Sequence, residues 1–79
     1  MPDWIEEKQK TKLPLIVIYD HPSDFPNHYV ARLWNWNQPT NVYDTADTIE
    51  ELQVKLPLDG MVWIDRHPLE DRAILGTWV

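Results

Sequence analysis

Two short stretches gather most of the side chains able to do acid–base or metal chemistry. "IYDHPSDFPNHY" (18–29) holds Asp20, His21, Asp24 and His28, and "IDRHPLEDR" (64–72) holds Asp65, His67, Glu70 and Asp71. Imidazole and carboxylate are the ligands that zinc, manganese and iron accept, so together the stretches carry the atoms of a small metal-dependent enzyme. Their spacing points elsewhere. Neither H-E-x-x-H nor H-x-x-E-H occurs, the patterns in which one helix face presents two metal-site residues. Proline fixes its own φ and drives the preceding residue to extended backbone, while Asp, Ser and Asn close turns with their side chains. "DHP" and "RHP" therefore read as strand exits. Ser23 is the only serine and has no G-x-S-x-G around it, and two glycines, Gly60 and Gly76, cannot build a phosphate-cradling loop. The reading is of a non-enzyme with no catalytic residue, no metal ligand and no cofactor; a metal-dependent enzyme built on the two turns is the rival.

The elements that would position these turns follow from periodicity. "LPLIVIYD" (13–20) is nearly all apolar, the pattern of a strand buried on both faces, with Pro14 at its start. "HYVARLWNW" (28–36) alternates, setting His28, Val30, Arg32, Trp34 and Trp36 against Tyr29, Ala31 and Leu33. In "VYDTADTIEELQVKLP" an N-cap at Asp47 or Thr48, with Glu50 or Glu51 three residues on, opens a short helix. Ile49, Leu52 and Leu56 form its apolar stripe, Lys55 suits its last turn and Pro57 ends it. "GMVWIDR" (60–66) and "RAILGTWV" (72–79) are further strands, with Gly60 supplying a turn and Gly76 marking a bulge or a close backbone contact. The expectation is an α+β fold, ββαββ: a four-stranded, mainly antiparallel sheet with one helix on one face. Residues 1–12 read as a polar N-terminal arm that could hold a short helix, and 13–79 as a single compact domain.

One short helix covers one sheet face, yet the chain has five Trp, three Tyr and one Phe. Trp and Tyr suit interfaces because they join a large apolar area to a hydrogen-bonding group. A partner surface is therefore expected from Arg32, Trp34, Trp36, Trp63 and Trp78, and it competes with the simpler role of these rings as core. Stacking on single-stranded nucleic acid would need a basic groove. The composition opposes one.

The net charge is −6, with eight acids against three bases in residues 41–79. Polyanion binding runs on Lys and Arg neutralising phosphates, so neither nucleic acid nor an anionic membrane is an expected partner. Complementary charge favours a basic protein surface. No apolar run reaches the roughly 20 residues of a membrane span. The opening "MPDWIEEKQKTK" carries no apolar signal-peptide stretch, and there is no cysteine, which together suggest a cytoplasmic protein.

The "YDHPSDFPNHYVAR" hairpin, the "ADTIEE" helix start and the "DRHPLEDRAILGTW" ending resemble those of small uncharacterised bacterial and prophage proteins, across residues 13–79. That resemblance brings no site residues with it; it implies one compact unit of bacterial or phage origin with an accessory, protein-binding role. The functional expectation is a small acidic interaction module that binds another protein or itself as a homodimer. An inhibitor of a basic nucleic-acid-binding host protein is its variant.

Overall fold

The computed structural model describes residues 2–79. Its elements are α1 (Trp4–Lys10), β1 (Pro14–Asp20), β2 (Tyr29–Asn35), β3 (Gln38–Ala46), α2 (Ile49–Lys55), β4 (Trp63–Asp65) and β5 (Ile74–Trp78). The sheet runs β3-β2-β1-β5-β4, and every neighbouring pair is antiparallel. The apolar run of β1 takes the central place, where neither edge is open, and Ile16, Val17 and Ile18 are buried in succession. A strand with partners on both sides and apolar residues on both faces can afford no polar position there.

The α+β class is as expected, but the expected ββαββ pattern is corrected at two points: five strands replace four, and two helices replace one. The added strand is β3, whose Pro39, Asn41, Asp44 and Thr residues look like loop chemistry. The turn before it also lacks a hairpin signature. Residues 36–37 connect Asn35 to its partner Gln38, and Trp36 takes a φ of 57° where hairpins usually place Gly or Asn. The added helix is α1, inside the stretch read as a polar arm. Asp3 caps it by accepting from the Glu6 N–H at 3.1 Å, and Lys10 bridges Glu6 and Glu7 one turn back.

Both helices lie on the same face. Ile16 and Ile18 of β1, Ala31 and Leu33 of β2 and Ala46 of β3 form one buried cluster with Trp4 of α1 and with Leu52 and Leu56 at the end of α2. Polar ties hold the helices there. Asp44 accepts from Trp4 Nε1 at 3.4 Å and pairs with Lys55 Nζ at 3.5 Å, while Lys55 also donates to the Thr45 carbonyl at 2.9 Å. Lys8 reaches the Pro57 carbonyl at 3.0 Å, joining α1 to the segment after α2. Thr48, the second of the two expected caps, is the one used: its hydroxyl accepts from the Glu51 N–H at 3.1 Å.

Toward β4 the cover is aromatic. The Trp63 and Trp78 rings meet edge to face with centroids 5.3 Å apart, and Trp63 lies across Gly76. A Cβ on Gly76 would strike the Trp63 ring and stand 2.6 Å from the Ile64 carbonyl oxygen. Gly76 is thus the close backbone contact expected of it, and β5 also shifts register against β1 between Ile18 and Tyr19.

Two substitutions test this packing. Gly76→Ala should destabilise by about 3 kcal/mol in urea unfolding, because the obstructing oxygen is backbone and the overpacked site cannot relax around it. Trp4→Ala should cost about 3 kcal/mol by the same measurement, since α1 then loses its only buried anchor. A loss under about 1 kcal/mol for Trp4→Ala would show α1 to be a bystander.

Candidate functional site

No helix covers the other face of the sheet. There the register sets side chains in rows across the strands. One row runs from Val62 through Val79, Leu15 and Trp34 to Pro39, with Val62 and Val79 exchanging backbone hydrogen bonds of 2.7 and 2.9 Å just outside β4 and β5. This row is apolar from edge to edge. The next runs Ile64, Thr77, Val17, Arg32 and Tyr43, and a third runs Ile74, Tyr19, Val30 and Thr45. Val62 and Ile64 remain 63% and 53% exposed. Val17 and Val30 are buried.

The two His-Pro turns meet at one end of this face. The Asp20 N–H donates to the Ala73 carbonyl at 2.6 Å, and an open cleft of about 370 Å³ lies between the turns. His21, Asp24 and Phe25 line it from the first turn, Asp71 and Ala73 from the second, and Tyr19, Val30 and Arg32 from the sheet. Phe25 folds back to within 5.3 Å of the Tyr43 ring centroid.

His21 and His67 make contacts within or beside their own turns, and His28 reaches the β3–α2 connection. His21 takes a left-handed φ of 47°, touches the Asp20 carboxylate and stacks edge-on against Tyr29 at 4.8 Å. His28 Nδ1 lies 3.1 Å from Asp47, and His67 Nδ1 accepts from the Leu69 N–H at 3.1 Å. Asp71 accepts from the Ala73 N–H at 2.9 Å, and Glu70 accepts from the His67 N–H at 3.1 Å. Among the described residues no three His, Asp or Glu side chains converge on one point. The turns come together without building a ligand set.

The five residues expected to form a partner surface divide between two faces. Arg32 and Trp34 stand on the open side. The Arg32 guanidinium lies 5.6 Å from the Tyr43 ring centroid and makes no ion pair within 4 Å among the described residues. Trp34 donates through Nε1 to the Tyr19 hydroxyl at 3.3 Å. Trp36 sits in the β2–β3 turn, 62% exposed. Trp63 and Trp78 pack on the helix side against the buried cluster, so they share no surface with Arg32 and Trp34. Leu15, Val62, Ile64 and Val79 were not expected on the open face. The alternation in "MVWIDR" carried that signal, because whichever face takes Trp63, Val62 and Ile64 take the other.

Chemically, the open face offers a broad apolar row, one unpaired guanidinium and a phenol hydroxyl whose oxygen already accepts a bond. The row can make apolar contacts and the guanidinium can donate hydrogen bonds. No helix among the described residues is long and apolar enough to cross a membrane.

Burial pushes the Tyr19 phenol above its ordinary pKa of 10.0, and the charges of Asp71 and Asp24 add to this, against the opposing pull of the Trp34 hydrogen bond and of Arg32. The folded state thus favours the neutral phenol. The stability this contributes is full below pH 10 and is lost as pH rises through the higher folded value. Subtracting the 295 nm alkaline titration of Tyr19→Phe from that of wild type should isolate a step above pH 10. A step at or below pH 10 would place Tyr19 in open solvent.

No protein-family model, no curated protein and no solved structure matches this chain.

Proposed function

We propose that the chain is a protein-interaction module that docks through the open face of its sheet and performs no catalysis. One observation carries the reading: on a face that neither helix covers, an apolar row runs over β1, β2 and β3 and on through Val79 and Val62, just outside β5 and β4. Domains of this size cannot spare apolar area, and a contiguous exposed patch of aliphatic and aromatic side chains is the usual mark of a binding surface. Trp34 is the natural anchor, being large, rigid and tied at its polar end to Tyr19. The variant reading, an inhibitor of a basic nucleic-acid-binding protein, rests on net charge, and the rows of the open face contain no acid.

The test places a photo-crosslinking residue, p-benzoylphenylalanine, at Ile64 on the open face or at Val54, which is 87% exposed on α2. Irradiated cells should yield protein adducts from position 64 and none from position 54. Adding Trp34→Ala should reduce the position-64 yield at least about tenfold, the effect of a central aromatic anchor. Adducts from position 54 alone, or from neither, overturn the proposal.

A further inference from the structure

We propose that Asp59 is a site of spontaneous isoaspartate formation, promoted in the folded state by the Lys8 ammonium of α1. This modification is independent of what docks on the open face. It follows from the dipeptide, from the turn that displays it and from the cation that the fold brings to it.

Isoaspartate forms when the backbone nitrogen that follows an aspartate attacks that aspartate's own carboxyl carbon. A side chain on the following residue shields the nitrogen, and glycine has none. Asp59 is the one aspartate followed by glycine; the others precede Trp, His, Phe, Thr or Arg. Asp59 and Gly60 are both exposed, and a β-carbon built on Gly60 would meet nothing within 4 Å. They form the tip of a turn closed by the Met61 N–H, which donates to the Leu58 carbonyl at 3.0 Å, with Gly60 at a φ of 77°. Among the described residues the Gly60 N–H has no hydrogen-bond partner. The attacking nitrogen is therefore open on every side.

The fold adds the cation. Lys8 donates through Nζ to the Pro57 carbonyl at 3.0 Å and to the Asp59 carbonyl at 3.4 Å. That second oxygen belongs to the peptide group whose nitrogen is the Gly60 nitrogen. A positive charge beside it draws electron density from the amide and favours the anion left when the Gly60 N–H gives up its proton.

The steps balance. The Gly60 nitrogen bonds to the carboxyl carbon of protonated Asp59, and the carboxyl hydroxyl leaves with the amide proton as water, closing a five-membered succinimide. Water then adds to the former backbone carbonyl carbon, the one Lys8 polarises, and breaks its bond to the Gly60 nitrogen. One water leaves and one enters, so the mass is unchanged. The main chain now runs through the old side chain. The oxygen that Lys8 holds has become part of a free carboxylate, so a bond to a neutral carbonyl is replaced by a charge-assisted one.

Incubation of the folded protein at neutral pH, followed by peptide mapping with electron-transfer fragmentation, tells isoaspartate from aspartate at each position. Isoaspartate should accumulate at position 59 ahead of every other aspartate. Lys8→Gln should slow it about fivefold, the effect of removing a unit charge about 4 Å from a developing anion in water-like surroundings. Lys8→Arg keeps the cation and should stay near the wild-type rate. In concentrated urea, where α1 no longer meets the turn, wild type and Lys8→Gln should react alike. Lys8→Met takes the place of Lys8→Gln if that variant loses its circular dichroism signal. Folded wild type without isoaspartate at position 59, or a folded uncharged variant that keeps the wild-type rate, overturns the inference.

Discussion

The Asp44 carboxylate is the point on which the two-sidedness of this molecule turns. It projects from β3 toward the helices and engages Trp4 of α1 and Lys55 of α2 with its two oxygens. Two seven-residue helices are too short to hold themselves in water. They persist because each feeds a shared apolar cluster and a shared anchor, α1 doing both through Trp4 and α2 through Leu52 and Lys55. With both drawn to one side, neither helix remains for the other. The open face is the direct result of where the helices are tied.

The two faces answer different demands. On the helix side the strands present small residues, Ala31, Ala46 and Gly76, beside the large rings of Trp4, Trp63 and Trp78, with Trp63 lying over Gly76. That is how a chain of 79 residues closes a core despite the poor surface-to-volume ratio of its size. On the open side the sheet's own side chains and the first turn shelter Val17 and Val30, Leu15 and Trp34 are half-buried, and Val62, Ile64 and Val79 stay exposed.

Much of this was legible in the residues. The central strand, the alternation of β2, the cap and stripe of α2 and the close contact at Gly76 all follow from local chemistry. The strand β3 did not, because its turn uses Trp36 in a backbone region where glycine is the usual signal and its body is rich in turn formers. Its strand character comes from pairing with β2. The helix α1 was ambiguous since "EEKQK" is polar on every side; Trp4 is its one buried side chain, and Lys8 adds a polar tie to the Pro57 carbonyl. Arg32 and Trp34 do lie on one face of the sheet, as the alternation of β2 implied. Trp63 and Trp78 were grouped with them by residue type, although type does not say which way a strand faces. The two His-Pro stretches do meet in space, and what they make is a junction of turns.

The order of strands also bears on how the chain reaches its fold. β1, β2 and β3 are consecutive in sequence and pair as a meander, so their contacts close over short loops. The opposite edge of β1 waits for β5, whose residues lie some sixty positions further on. Until β5 arrives, Ile16, Val17 and Ile18 flank an unpaired edge, the arrangement most prone to recruit a strand from another molecule. The same central position that makes β1 the best-protected strand of the finished protein makes it the most vulnerable one on the way there. Slow steps in refolding, and losses to aggregation, should therefore be governed by the docking of the β4–β5 unit and not by the helices.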